Sequence, residues 1–219
     1  MTRSVRFGAV VAVLGAGLAL AFAVTAAPPA EAASGKPSTS AFHDQMRALW
    51  EDHIVWTRQY IVSAATLPGD LADIGPTTDR LLANQTDIGN ALKPFYGNAA
   101  GEAVTALLRD HILTAARLIA AAKAGDNAEV QTASAAWYAN GDQIATALNG
   151  LNPRFWDLDH FKMMMRAHLD RTLEEAVARL QGRYADDIAA YAAVHADILD
   201  MADMLSDGVV RQFPSAFGH

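Results

Sequence analysis

The chain has 219 residues, of which 17 are Lys or Arg, 24 are Asp or Glu, 7 are His and none is Cys. A hydrophobic share of 52% against 19% charged supports a sizeable core and argues against global disorder. The net charge of −7 argues against binding of nucleic-acid phosphates, and the lack of Cys excludes disulfides, thiolate metal sites, iron–sulfur clusters and cysteine nucleophiles.

The first residues read as targeting rather than fold. Arg3 and Arg6 make a basic start, residues 7–30 carry no charge, and Ala30-Glu31-Ala32 is a small-x-small cleavage pattern. This predicts a secretory signal peptide over 1–33 and a flexible linker over 34–39, where Ser34-Gly35-Lys36-Pro37-Ser38 is loop-like. The apolar run is also long enough to span a bilayer if it stays uncleaved, so any membrane association is expected through this segment alone. Removal of residues 1–33 takes away Arg3, Arg6 and Glu31 and leaves a net charge of −8. The mature protein is expected to be secreted or extracytoplasmic.

Periodicity near 3.6 dominates the rest, and no period-2 strand stands out. The first helix is expected over about 40–65, capped by Ser38, Thr39 or Ser40 and stopped by Leu67-Pro68-Gly69-Asp70. A second runs from about Thr77 or Thr78 and ends before Pro94, where Lys93-Pro94-Phe95-Tyr96-Gly97-Asn98 reads as a turn. The third covers about 99–124 and closes on Gly125-Asp126-Asn127. The fourth follows to about 149 and breaks at Gly150-Leu151-Asn152-Pro153. The fifth begins near Asp157, which is placed to cap it, and ends at Gly182. The sixth occupies 184–212 and halts at Pro214. Short connections make consecutive helices antiparallel neighbours, so the fold class is all-α, an up-down bundle of about five to six helices. It forms one domain over 40–214 with a tail over 215–219, and no repeat or linker suggests a second domain.

The informative residues are four histidines. His53, His111, His168 and His195 each fall in the apolar stripe of a different helix, seven residues after Met46, Val104, Phe161 and Ile188 respectively. Seven residues is nearly two turns, so each imidazole is expected on a buried face. They lie 11–13 residues into their helices and could share one layer. Imidazoles converging from facing helices are how bundles build metal or haem sites. The alternative is that each ring sits in the core on a backbone carbonyl, a carboxylate or a buried water.

Imidazole without thiolate suits zinc, copper, nickel or iron, and a pair of imidazoles could instead hold haem. No C-x-x-C-H sequence attaches haem covalently, and no Glu-x-x-His supports a di-iron carboxylate centre. Glu175, seven residues past His168, could approach the same face, and Asp142 and Asp203 could act as outer partners, but each of the three reads more readily as a solvated or boundary charge. Met163-Met164-Met165, with His160 and His168, suits soft Cu(I), although methionine at helical spacing is usually core filler. His43, His160 and His219 are expected to face solvent. Arg58 is expected in a surface ion pair, with Asp52 or an anionic ligand as partner, and the Asp186-Asp187 to Asp207 run as a solvated acidic face. No glycine-rich phosphate loop, G-x-S-x-G or His-Glu-x-x-His is present.

The stretch Leu49-Trp50-Glu51-Asp52-His53-Ile54-Val55-Trp56-Thr57-Arg58 contains W-x-x-H-x-x-W-T-R and resembles a family of small secreted bacterial helical proteins. The resemblance continues at Leu108 to His111, Trp137-Tyr138-Ala139-Asn140, Asn152-Pro153, His168-Leu169 with Thr172, Glu174 and Glu175, Met201-Ala202-Asp203-Met204 and Gln212-Phe213-Pro214. It implies a helical fold and no particular activity, and it does not require a His at position 195. Some members carry an acetylglutamate kinase label, but such kinases need strands and a glycine-rich phosphate loop, which this sequence lacks.

The sequence thus predicts a secreted bundle that binds a metal ion or small molecule, a transition metal (Zn, Cu, Ni or Fe) or haem, through His53, His111, His168 and His195. The competing reading is a non-catalytic structural or interaction module of the cell envelope with a buried histidine hydrogen-bond network. A third is an enzyme with a buried His as general base. No reaction is named by any motif.

Overall fold

Capping chemistry sets the helix boundaries. Ser38 accepts from the Ala41 amide and opens α1 (Thr39–Ala64), and Asp126 and Asp157 do the same for α4 (Asn127–Leu151) and α5 (Leu158–Leu180). Gly125, at φ 71°, ends α3 (Asn98–Ala124) in the left-handed region that only glycine enters freely. The remaining helices are α2 (Ile74–Tyr96) and α6 (Tyr184–Gln212). The computed structural model describes residues 35–218, and they form these six helices and a short 3-10 turn with no strand. The expected signal peptide and His219 lie outside the described residues. Among the described residues no helix is long and apolar enough to cross a membrane.

Two boundaries differ from the sequence reading. α2 starts three residues earlier than Thr77 and runs through Pro94 to Tyr96. Pro76 falls in the first turn, where a missing N–H costs nothing, and past Pro94 the helix closes with Gly97 N donating to Lys93 O at 2.9 Å. The C-terminal stretch expected as a tail is packed. Phe217 is buried against Phe42 and Phe95, and Gly218 N donates to Pro37 O at 2.9 Å, which ties the two ends of the unit together.

Each helix packs on its neighbours in the chain and α6 returns to α1, so the six make a closed ring. Contacts across the middle run between α1, α3 and α5. The arrangement is therefore three helical hairpins, α1–α2, α3–α4 and α5–α6, with the first helix of each turned to the centre. α2 and α3 approach closely because Gly89 and Gly101 face each other. A Cβ on Gly89 would stand 2.5 Å from Gly101 O, and one on Gly101 2.6 Å from Gly89 O.

One buried charge cluster corrects three expectations. Arg58 is not in a surface pair with Asp52, which pairs with Arg80 instead. Its guanidinium donates to Glu175 at 2.8 Å and to both carboxylate oxygens of Asp187, and Arg179 also reaches Asp187. Glu175 and Asp187, expected as solvated or boundary charges, are 1% and 0% exposed. The cluster joins residues of α1, α5 and α6, so no single helix face reveals it.

Two outcomes follow for stability. Gly89→Ala forces backbone apart at the α2–α3 crossing and is expected to cost about 1–3 kcal/mol in urea unfolding. Arg58→Ala leaves Glu175 buried without an ion-pair partner and Asp187 with Arg179 alone, and is expected to cost about 3–5 kcal/mol by the same measurement. A loss under 1 kcal/mol for Arg58→Ala would show that solvent reaches the cluster.

Candidate functional site

The three hairpins share a pattern that the linear reading did not find. His53, His111 and His168 stand 58 and 57 residues apart, each on the inner helix of its hairpin. On the outer helices Asn84, Asn140 and Asp197 stand 56 and 57 residues apart. Four residues on come Ile88, Ile144 and Met201, and eight residues on come Leu92, Leu148 and Leu205, all six buried. The hydrogen bonds repeat as well. Asn84 Nδ2 donates to Leu49 O at 3.0 Å, and Asn140 Nδ2 to Leu107 O at 3.1 Å, each acceptor lying four residues before its histidine.

This pseudo-threefold arrangement brings three imidazoles to the middle. His53, His111 and His168 are 2%, 3% and 3% exposed. The His168 ring lies 6.0 Å from that of His53 and 6.2 Å from that of His111, centre to centre. They line a common cavity with Trp50, Phe161 and Met165, of about 10 Å³ open to the centre of a water molecule. That is room for about one water.

His195 is the one candidate that the fold sets apart. Its side chain is 31% exposed, and Nε2 pairs with Glu51 Oε1 at 3.0 Å on the outside of the α1–α6 seam. The expectation that its ring projects into the core is therefore corrected. Ile188, the apolar residue taken to mark its face, is itself exposed. α6 turns Val194, Ile198 and Met201 inward instead. His43 is half-buried against Ser206, while His160 is exposed at the start of α5.

The hydrogen bonds fix the tautomers of two rings. Gln85 uses its amide nitrogen on Leu81 O and Asn84 Oδ1, so its oxygen is left to accept from His53 Nδ1 at 3.2 Å. Asn140 likewise donates to Leu107 O and accepts from His111 Nδ1 at 2.9 Å. Both rings therefore carry their proton on Nδ1 and keep a lone pair on Nε2. Gln85 and Asn140 had no place in the sequence reading. The signal that would have found Asn140 is the Ala-Asn pair recurring at 83–84 and 139–140, with Ile and Leu at fixed offsets behind it.

The third hairpin breaks the pattern. His168 Nδ1 is buried and has no hydrogen-bond partner. Asp197 holds the position of Asn84 and Asn140, and its Oδ2 is also buried without a partner while Oδ1 pairs with Arg171. A carboxylate cannot donate to a carbonyl, so the tie that Asn84 and Asn140 make to the inner helix is missing here.

Burial governs the protonation of all three rings. Desolvation lowers His53 to about 3, with the neighbouring His111 adding to the effect and Gln85 opposing it. It lowers His111 to about 4 against the Asn140 hydrogen bond. His168 is held well below the ordinary histidine value by burial and then by His53 and His111. The centre is thus three neutral imidazoles at pH 7, walled by apolar side chains.

Coordination at metal–nitrogen bonds of about 2.0–2.1 Å would place two ring centres about 5–5.5 Å apart. The His168 ring stands wider than that from both of the others, at 6.0 and 6.2 Å, and among the described residues no group of three or more His, Cys, Asp or Glu side chains is placed to hold a metal ion. No family model matches this chain, and neither does any curated protein or any solved structure.

Neutral burial has a definite consequence for acid stability. Below about pH 6.5 the unfolded chain takes up three protons that the folded chain refuses, so stability falls as pH falls. Glu175 works the other way, because burial raises it from 4.5 to about 7 and the folded state holds its proton more tightly. Three groups against one leave a net difference of about two protons, or roughly 2–3 kcal/mol per pH unit near pH 5.5. Urea unfolding is expected to show the protein at least about 2 kcal/mol less stable at pH 5 than at pH 7, and His168→Phe should flatten the dependence. Equal stability at both pH values would mean that the rings are protonated in place.

Proposed function

We propose that this chain is an extracytoplasmic helical-bundle protein that holds one transition-metal ion through the Nε2 atoms of His53, His111 and His168. The observation that carries the reading is His168, a fully buried imidazole with an unpartnered ring nitrogen, set beside two imidazoles whose tautomers are already fixed. Metal-ligating histidines nearly always give their other N–H to an oxygen acceptor, which is the role Gln85 and Asn140 play. Asp197 occupies the corresponding place behind His168 and would accept from its Nδ1. Low proton affinity helps, since no proton has to leave before a cation binds.

The donor set suits zinc, copper, nickel or iron. Met165 and Met201 in the cavity wall favour copper among these, because thioethers are soft. A cavity with room for about one water takes an ion rather than a haem, which needs a pocket of hundreds of Å³. It leaves no space for a substrate either, so the role proposed is binding, sensing or handling of the metal rather than catalysis. Export rests on the signal-peptide pattern over 1–33. The competing reading, a structural module with a closed histidine network, is favoured by the two amide pairs. It leaves His168 Nδ1 and Asp197 Oδ2 buried and unsatisfied, at about 1–3 kcal/mol each.

Elemental analysis of untagged protein, with thermal unfolding in added Zn²⁺, Cu²⁺ or Ni²⁺, tests this. Near-stoichiometric metal and a raised Tm are expected, both lost in His53→Ala and His168→Ala. Metal-free protein whose Tm no ion raises would leave the histidines as core residues.

A further inference from the structure

The methionines of this chain are not spread through the core. Of seven, Met163, Met164, Met165, Met201 and Met204 all lie on the two helices of the third hairpin. Met165 and Met201 face the buried cavity. Met163, Met164 and Met204 instead line an outer groove of about 430 Å³ between α5 and α6, together with His160, Asp197 and Asp200. Met163 is 60% exposed, which is costly for an apolar side chain with no partner to cover it. His160, Met163 and Met164 are spaced i, i+3 and i+4, so they share one helix face within reach of Met204 across the seam.

The threefold pattern supplies an internal comparison. The first hairpin has an equivalent groove, lined by Gln45, Leu49, Asp87 and Ala91 at the positions of His160, Met164, Asp200 and Met204. In the second hairpin the corresponding residues are Ala103, Leu107, Gln143 and Ala147. The groove itself is a consequence of hairpin geometry. What is particular to the third is its chemistry, three thioethers and an imidazole where the other two carry Leu, Ala or Gln. It is also the seam where Asp197 replaces the asparagine that ties the helices together.

We propose that the outer groove of the α5–α6 hairpin is a second metal site, which takes the soft monovalent cation Cu(I) through the sulfurs of Met163, Met164 and Met204 and the imidazole of His160. Thioether ligands select Cu(I) over zinc and other harder ions, and they need no deprotonation. Asp200 adds negative charge beside the cation without replacing the soft donors, while the charge of Asp197 is offset by Arg171. Met164 and Met165 are adjacent in sequence, and Met201 and Met204 are one turn apart, so each helix carries a methionine toward the groove and a neighbouring one toward the cavity. The site does not rest on the buried centre being filled.

Silver(I), which does not change oxidation state, is the probe. The full chain labelled at its methionine methyl groups with ¹³C is titrated with silver nitrate and followed by NMR. The Met163, Met164 and Met204 methyls are expected to shift by one equivalent while Met46 stays fixed, and Zn²⁺ is expected to leave all four unmoved. Met163→Leu, Met164→Leu and Met204→Leu together keep volume and should preserve the fold, as circular dichroism will show, yet weaken silver binding at least tenfold. His53→Ala, which removes a ligand of the buried centre, should retain the groove shifts. Methyls that do not move, an equal response to Zn²⁺, or a loss under tenfold in the triple variant would overturn the proposal.

Discussion

Three imidazoles withdrawn from water at the middle of the bundle can carry only one proton each, because desolvation disfavours the imidazolium form. Each ring then has one donor and one acceptor to place. Amide oxygens from the outer helices take the donors of His53 and His111, and this turns their remaining lone pairs away from those helices. The cavity wall is Trp50, Leu108, Ile144, Phe161, Met165, Ile198 and Met201 around the three histidines. Apart from Trp50 Nε1, which is buried without a partner, these side chains bring no donor to the centre. The His53 and His111 lone pairs therefore meet no donor from the wall, and a cation in the cavity would engage them. The physical chemistry of the centre thus follows from neutrality, and neutrality follows from burial.

That burial is a product of the threefold arrangement. Only α1, α3 and α5 bring their inner faces together, and each carries its histidine at the same level of its hairpin. The outer helices orient the rings and also fasten each hairpin, through Asn84 on Leu49 O and Asn140 on Leu107 O. The third hairpin departs from its siblings in three linked ways. It has Asp197 in place of asparagine, an imidazole without its acceptor, and methionines where the others have Leu or Ala. Its fastening comes from charge instead, with Asp197 on Arg171 and the Arg58–Glu175–Asp187 cluster joining α1, α5 and α6. A hairpin held by charges at its end and lined with flexible thioethers is the seam on which both proposed metal sites draw.

Much of this was legible in the residues. Apolar spacing, serine and aspartate caps and the glycines after α3 and α5 predict six helices to within a few residues. The apolar residue seven positions earlier points His53, His111 and His168 inward, and all three are buried. The same rule fails for His195, because α6 has apolar residues on more than one face and Ile188 turns out to lie on the exposed one. It fails for Glu175 and Asp187 because a charge reads as solvent-facing until its partner is known. Arg58 is 117 and 129 residues away from them.

The sequence by itself determined the class of fold, the caps and the inward face of three histidines, because these depend on interactions within one helix or between neighbours along the chain. Only the tertiary structure decided which histidines meet, which amides fix their tautomers, which charges are buried together and which methionines face outward. Each of those is settled by pairs of residues tens of positions apart, where helix rotation about its axis, and not local propensity, selects the contact.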